Sequence, residues 1–166
     1  SNAGTVSPGM SIGTIQVGGD YVQTGSGVLE IEGAIHNGVS DRLIVDGRAT
    51  LGGALEILPE ARPFGIATEY TFLEASGGIA GTFGSTTSSA AYLDPFLAYG
   101  SGSVGVTLVR NDVSFHGMGD TANARALGAS LDGSKLAMAR GDFKPLMDEF
   151  LVIDAAAQAM ALRTLS

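Results

Sequence analysis

The chain has 166 residues, of which 25 are glycine and none is cysteine. Nine basic residues against seventeen acidic ones give a net charge of −8, which excludes the basic surface that nucleic acid or an anionic membrane requires. The absence of cysteine excludes thiolate chemistry, disulfides and cysteine-ligated metal.

The composition divides the chain into two parts. The residues before position 121 hold 22 of the 25 glycines and the whole net charge, whereas residues 121–166 balance five basic with five acidic residues and contain eleven alanines. Ser1, Asn2 and Ala3 read as the remnant of a cleaved purification tag, so we leave 1–3 out of the predicted fold and expect the chain to be a piece of a longer protein. We predict a β-rich unit over 4–120 and a helical unit over 121–166.

Short segments of the first part alternate apolar and polar side chains between Gly, Ser and Asp turns, which is typical of strands. These segments are 14–17, 28–32, 54–58, 70–73, 104–108 and 111–115.

An internal repeat lies within these strands. Leu29-Glu30-Ile31 recurs as Leu55-Glu56-Ile57, 26 residues later, with glycine-rich corners and no helix between the copies. This period fits one coil of a β-solenoid, in which the leucines and isoleucines stack inside and the glutamates face outward. An antiparallel β-sandwich with two similar hairpins is the alternative.

The last part has helical spacing. Asp120 or Thr121 can cap a first helix, whose apolar face is formed by Ala124, Leu127 and Leu131. A longer helix is predicted over 143–165, with Pro145 near its start. Its apolar face is formed by Phe143, Leu146, Met147, Phe150, Ile153, Ala157 and Met160. Acidic residues outnumber basic ones in it, so we expect it to pack on the β-rich unit rather than on a membrane.

Three groups of motifs, in order and in spacing, resemble the C-terminal passenger region of pertactin-like bacterial autotransporters. They are Pro-Gly-Met-Ser-Ile-Gly-Thr at 8–14, Ser-Asp-Arg-Leu-Ile-Val-Asp-Gly at 40–47 with Leu-Gly-Gly-Ala-Leu at 51–55, and Leu-Glu-Ala-Ser-Gly-Gly-Ile-Ala-Gly-Thr-Phe at 73–83. Asn-Ala-Arg-Ala-Leu-Gly-Ala-Ser-Leu-Asp at 123–132 is similar to the helix that follows this region in the family, so the resemblance implies that 121–166 is a helical linker toward an outer-membrane barrel. Residues 161–166 are similar to the segment that precedes the barrel in that family. Met10, Ile12 and Ala124 depart from the family's usual Asn, Pro and Gln.

The resemblance implies an all-β fold: a right-handed parallel β-helix (solenoid) with a C-terminal cap, followed by a short α-helical segment. It implies a non-catalytic autochaperone that nucleates β-helix folding during type V secretion and forms the stem of a surface-exposed or secreted virulence or adhesion protein of a Gram-negative bacterium, exported through the periplasm. The implied partners are the protein's own outer-membrane β-barrel, the N-terminal passenger coils and, through the passenger, a host surface ligand. No cofactor is implied.

A physical argument explains why a cap would matter. Ordering a coil of about 26 residues costs on the order of 1–2 kcal/mol per residue, while about six inward side chains return roughly 1.5–3 kcal/mol each. A coil is therefore stable only against a neighbour. Eight of the eleven aromatic residues lie between 64 and 115 and form the expected cap: Phe64, Tyr70, Phe72, Phe83, Tyr92, Phe96, Tyr99 and Phe115.

The predicted folding and cap core comprises ten residues: Leu43, Val45, Leu55, Ile57, Tyr70, Phe72, Ile79, Phe83, Phe96 and Phe115. Strand edges that remain open at the end of such a stack predict self-association.

Two glycine-rich segments have the form of nucleotide-binding motifs. Residues 100–105 run into a strand rather than a helix, so we interpret them as a hairpin loop. Residues 117–122 precede a helix but lack the second parallel strand of a βαβ unit. Neither segment predicts a nucleotide site.

Groups that could carry catalysis or hold a metal are sparse. Glu30, Glu32 and Glu56 could in principle serve carbohydrate cleavage or bind calcium, and we interpret them as a solvated outer face. His36 and His116 lie in a predicted turn and at a predicted strand end, without a second ligand at metal spacing. The many serines leave a Ser-His-Asp arrangement open, but no G-x-S-x-G motif is present. We predict no catalytic, cofactor-binding or metal residue; the alternatives are a carbohydrate-active β-helix lyase or hydrolase fragment and a direct glycan- or protein-binding adhesin.

Overall fold

The computed structural model describes residues 1–9, 12–34, 39–59, 69–133, 150–151 and 154–165. The strands are β1 (Thr5–Val6), β2 (Thr14–Val17), β3 (Tyr21–Val22), β4 (Val28–Ala34), β5 (Val39–Ser40), β6 (Arg42–Val45), β7 (Ala49–Leu51), β8 (Ala54–Pro59), β9 (Glu69–Ala75), β10 (Ile79–Gly81), β11 (Ser85–Ser88), β12 (Leu93–Tyr99) and β13 (Ser103–Arg110). The helices are α1 (Phe115–Met118), α2 (Ala122–Gly133) and α3 (Ala155–Leu165).

The fold is mostly β, with parallel strands in three sheets and a short helical segment, and it is compatible with a β-helix. One sheet has the order β1-β4-β8-β11 with β5 on β4, a second has β3-β7-β10, and the third has β2-β6-β9-β13-β12. The chain visits the three sheets in rotation, and we call one such round a coil. Successive coils pair in parallel, so the antiparallel sandwich is wrong.

The internal repeat is confirmed in its register. The two triplets pair residue for residue across β4 and β8: Leu29 with Leu55, Glu30 with Glu56, and Ile31 with Ile57. The leucines and isoleucines are buried, and the glutamates lie half-buried on the outer face. Alternation along a strand puts successive side chains on opposite faces, so a repeat of hydrophobic pattern becomes a stack in the core.

Glycine is needed where the coils turn. Gly53 has φ +62°, and a Cβ there would lie 2.2 Å from the carbonyl oxygen of Gly27 in the preceding coil. Residues that carry a side chain rarely adopt this left-handed φ, and the added Cβ would overlap with the Gly27 oxygen. On another corner the N–H of Gly47 donates to the carbonyl of Gly19, and the N–H of Gly77 donates to that of Gly47.

Most of the predicted core residues are buried in the structure. Eight are buried: Leu43, Val45, Leu55, Ile57, Tyr70, Phe72, Phe83 and Phe115. Ile79 is half-buried against the same core. Phe96 is 59% exposed, so its assignment to the core is wrong. In β12 the inward positions are Leu93 and Leu97, and strand alternation therefore turns Phe96 outward.

The structure corrects two predictions about the ends of the β-rich part. Asn2 belongs to the fold, since its N–H donates to the carbonyl of Val22 at 2.7 Å and it bridges in parallel to Gln23. Residues 111–115 do not form a strand, because the chain turns into α1 at Phe115. Ser114 caps this turn by accepting the N–H of Gly117 at 3.1 Å.

The first predicted helix is confirmed as α2, with Thr121 as its cap. The Thr121 hydroxyl accepts the N–H of Ala124 at 3.1 Å. Ala124 is buried, while Leu127 and Leu131 are half-buried in the same apolar cluster.

The prediction of one uninterrupted helix over 143–165 is wrong at Asp154, which is not helical. α3 begins after it, and its buried residues are Gln158 and Leu162, while Met160 is 69% exposed. The buried face of α3 is therefore formed by Gln158 and Leu162 rather than by Ala157 and Met160. His36, Phe64, Phe143, Pro145, Leu146, Met147 and Ile153 lie outside the described residues. Within the ranges given above, no helix combines the length and apolar character needed to cross a lipid bilayer.

Candidate functional site at the closed end of the sheets

A β-hairpin closes one end of the stacked coils. β12 and β13 pair antiparallel from Leu93 with Arg110 to Tyr99 with Val104, and β13 pairs antiparallel with β9. The N–H of Gly100 donates to the carbonyl of Ser103 at 2.8 Å, so the interpretation of this glycine-rich segment as a hairpin loop is confirmed. We call β12 and β13 the closing hairpin.

The closing hairpin covers the end of the main core. Its inward side chains are buried together with Phe72 and Phe83, whose ring centroids are 6.3 Å apart. The fully inward, buried residues are Leu93, Val104, Val106 and Leu108, and Leu97 is half-buried beside them. The Tyr99 hydroxyl accepts the backbone N–H of Phe83 at 3.1 Å, which ties the hairpin to the last coil.

A second apolar cluster lies beside the hairpin and is built mainly by the helical segment. Tyr92 and Phe115 meet edge to face with centroids 4.5 Å apart, and Phe150 lies 5.6 Å from Phe115 and 6.1 Å from Tyr92. We call these three rings with Ala124, Leu151 and Leu162 the aromatic cluster. Aromatic contacts of this kind add roughly 0.5–1.5 kcal/mol per pair to the burial of the rings.

Tyr92 links the β-rich part to the aromatic cluster. It lies between β11 and β12 in the chain, yet its side chain is fully buried among the helices. Asn111 holds its backbone in place: the Asn111 N–H donates to the Tyr92 carbonyl at 3.0 Å, and the Asn111 amide donates to the Ala91 carbonyl and the Asp94 carboxylate. The ring is therefore presented to the helices by a fixed turn.

Arg110, the last residue of β13, covers two of these rings. Its guanidinium carbon is 4.7 Å from the centroid of Tyr92 and 5.1 Å from that of Phe115, within range of a cation–π interaction. The guanidinium also donates to the carbonyls of Asn111 and Val113. Burial lowers the pKa of Arg110, partly offset by Tyr92.

The Tyr92 hydroxyl is buried and has no hydrogen-bond partner among the described residues. Burial raises the pKa of Tyr92 to about 12, although the charge of Arg110 acts in the opposite direction. Removal of a phenol from water disfavours its ionised form, which is the cause of this shift.

The helices are held to one another by short contacts. The Asp132 carboxylate accepts the N–H groups of Phe115 and His116, each at 3.0 Å, and so joins the end of α2 to the start of α1. α2 approaches α1 closely at Gly128, where a Cβ would lie 2.5 Å from the Phe115 carbonyl oxygen. Arg163 of α3 forms an ion pair with Asp120.

The structure places the described groups that were considered for chemistry in the helical segment and on the outer face of the β-rich part. His116 lies in α1 rather than at a strand end, and its Nδ1–H donates to the Arg125 carbonyl at 3.0 Å. Glu30 and Glu56 stack on the outer face of adjacent strands. Among all the residues that the structure describes, no three His, Asp or Glu side chains lie close enough together to hold a metal ion.

Asp41 and Gln23 are two of the buried polar residues that the sequence analysis did not foresee. Asp41 is fully buried, and its carboxylate accepts the N–H of Gly13 at 2.7 Å and that of Glu32 at 2.9 Å. Gln23 is 2% exposed and donates to the Gly52 and Ala54 carbonyls of the next coil. The signal for Gln23 was its position two residues after Tyr21, which places both side chains on the same inward face.

Comparison of the sequence with known proteins adds evidence about the class of protein. No protein-family model matches the chain. The chain is 26% identical over 142 residues to a protein of Serratia marcescens described as an extracellular serine protease; the match covers 80% of this chain and 13% of the Serratia protein. The chain thus spans a small fraction of that relative's length, and protease activity is a property of the relative. This distant similarity to an extracellular protein is consistent with an autotransporter passenger region and with secretion.

Proposed function

We propose that the chain is the C-terminal part of an autotransporter passenger and that its closed end nucleates passenger folding. In this proposal the three sheets are the faces of a right-handed parallel β-helix, and the closing hairpin is its cap. The observation that carries the proposal is the covering of the main core at one end by an antiparallel hairpin of the same chain.

The two ends of the stack differ in a way that supports a folding template. At the closed end, β13 and β12 extend the third sheet beyond the last coil. At the opposite end, β1 and β2 each pair with a strand of the next coil on one side only, within the described residues. β3 pairs with β7 on one side and meets Asn2 on the other. A further coil gains hydrogen bonds and apolar contacts when it adds to such an edge, whereas a coil without a neighbour does not repay its ordering entropy.

The proposed role is non-catalytic. The protein would act at the cell surface or outer membrane, or in a secreted passenger, with its own outer-membrane barrel and N-terminal coils as partners and a host ligand bound elsewhere in the passenger. The similarity to an extracellular protein supports the exported location.

Truncation of the core under the closing hairpin tests the proposal. Phe72→Ala or Phe83→Ala should cost about 3–5 kcal/mol of stability, lower the Tm and reduce surface display of the full-length protein. Phe96→Ala is the matched control, since Phe96 lies in β12 of the closing hairpin and is 59% exposed. Calorimetry and antibody labelling of intact cells measure the two effects. Unchanged display in variants with a lowered Tm would contradict a role in folding during secretion.

A further inference from the structure

Phe96 is a large apolar side chain on the outer face of the closing hairpin. Among the described residues before position 121, no large hydrophobic side chain is more exposed than this one, at 59%. Thr107 of β13 lies opposite it, and strand alternation places both on the face that turns away from the core. Most of the ring stays in water, so it gains little from burial. Packing of the core therefore does not account for a phenylalanine at this position.

A carboxylate lies beside Phe96 on the same face. Gly105 is the diagonal neighbour of Phe96 on β13, because Gly105 pairs with Ala98. A Cβ on Gly105 would lie 2.7 Å from Oε1 of Glu69, so the Glu69 side chain extends from β9 across β13. Diagonal positions on adjacent antiparallel strands are about 7–8 Å apart, within reach of aromatic and long side chains. The Phe96 ring and the Glu69 carboxylate thus border one shallow site, with Gly105 and Thr107 as its floor.

The negative charge at this site is uncompensated. The Glu69 carboxylate forms no ion pair or hydrogen bond with a described residue, and Arg42 of the neighbouring strand β6 donates to Glu74 at 2.7 Å instead. Asp94 lies two residues before Phe96 on the same face, in a part of the chain that carries the whole net charge of −8. A cation is therefore attracted both by the carboxylates and, over the ring, by a cation–π interaction.

We propose that Phe96 and Glu69 bind an arginine side chain on a basic segment of a partner protein. A guanidinium is planar, so it stacks on an aromatic face while its parallel N–H groups donate to a carboxylate. A neutral sugar ring also stacks on an aromatic ring but leaves the surrounding negative charge unmatched. This inference does not depend on the proposed function: Phe96 takes no part in the core, so loss of binding and loss of folding are measured separately.

Titration with a blocked Gly-Arg-Gly peptide at low salt, followed by nuclear magnetic resonance, tests the site. The peptide should shift the backbone amide signals of β12 and β13. Phe96→Leu and Glu69→Gln should each weaken binding about twofold to fivefold, as expected for an exposed cation–π contact and an exposed ion pair. Glu56→Gln is the matched control, because it changes the net charge equally but removes a carboxylate from the outer face of the first sheet. It should leave the affinity unchanged.

Gly105→Ala separates a built site from attraction to net charge. The new Cβ would displace the Glu69 carboxylate, whose side chain is exposed and can move, so the Tm should be retained while binding weakens as far as in Glu69→Gln. The double variant should lose nothing further, because both changes act through one carboxylate. Equal weakening by Glu69→Gln and Glu56→Gln would overturn the proposal. So would equal shifts of the same signals by cellobiose, or by the peptide with neutral citrulline in place of arginine.

Discussion

Single residues decide how the two apolar clusters are joined. Tyr92 belongs by chain position to the β-rich part and by contact to the aromatic cluster, and Arg110 covers its ring from the end of β13. Asp41 plays a comparable part within the coils, because one buried carboxylate pairs two backbone N–H groups that lie far apart in sequence. Such groups are costly to replace, since removal of one partner leaves the others buried and unpaired.

Burial of Tyr92 predicts a dependence of stability on alkaline pH. Its pKa is raised from 10.0 to about 12 in the folded chain, so between these values the folded state retains a proton that the unfolded chain loses. The free energy of unfolding should therefore fall as the pH rises through this range. Tyr92→Phe should reduce this fall, which urea titrations at pH 9 and 11 would measure. The pKa of Tyr21 is also raised by burial, so Tyr21→Phe serves as the comparison. An identical pH dependence in the parent chain and Tyr92→Phe would refute the prediction.

Asp41→Asn should destabilise the chain by about 1–3 kcal/mol. The amide keeps one oxygen but turns an NH₂ group toward a backbone N–H, so one buried donor loses its acceptor. Asp46→Asn is the control, because Asp46 is exposed and its carboxylate accepts the Gln16 side-chain amide at 3.1 Å. Equal urea midpoints for the two variants would show that the Asp41 contacts contribute nothing to stability.

At the scale of elements, the packing of α1 on α2 depends on a close approach. Gly128→Ala should lower the Tm of the helical cluster, although alanine favours an isolated helix by about 1 kcal/mol over glycine. The added Cβ would lie 2.5 Å from the Phe115 carbonyl oxygen, so α2 must move away from α1.

Gly133→Ala, at the end of the same helix, is the matched control for this substitution, because no atom from another described element lies within 4 Å of the new Cβ. Thermal melts followed by far-ultraviolet circular dichroism measure both variants. The prediction fails if Gly128→Ala melts at or above the temperature of Gly133→Ala.

At the scale of the whole molecule, the two ends of the sheets carry different protection against edge pairing. β12 is the edge strand at one end of the third sheet, and it contains Asp94 and Pro95. A charge and a proline in an edge strand discourage pairing with another chain. β2 has the sequence Thr-Ile-Gln-Val, without charge or proline, and pairs with β6 alone among the described strands. Within the third sheet, β2 is therefore the open edge for self-association.

We expect the isolated chain to self-associate through the β2 end. Light scattering over a range of concentrations should show a rising average mass. Thr14→Lys, exposed on β2, should reduce that rise because a charge at an edge opposes pairing. Ala98→Lys, exposed on β12, should leave it unchanged. A constant monomer mass at all concentrations would contradict the prediction.

Local patterns were sufficient where one periodicity dominates. Alternation predicts the inward and outward residues of β4 and β8. The start of the apolar helical pattern limits the cap of α2 to Asp120 or Thr121, and the structure shows that it is Thr121. Phe96 was misplaced because its hydrophobicity was considered without the parity of its strand. Residues 111–115 were misread because the Ser114 cap and the Asp132 carboxylate, distant in sequence, favour a helical turn there.

The sequence by itself determined the repeating strand pattern and the register of its stacked side chains, because these depend on periodicity and on glycine at corners. Only the tertiary structure decided that an antiparallel hairpin closes the parallel sheets, that Tyr92 enters the helical cluster, and that the tail bends at Asp154. These features depend on contacts between residues far apart in the chain. A buried Gln158 and an exposed Met160 follow from such contacts, which can override the local preference of each side chain.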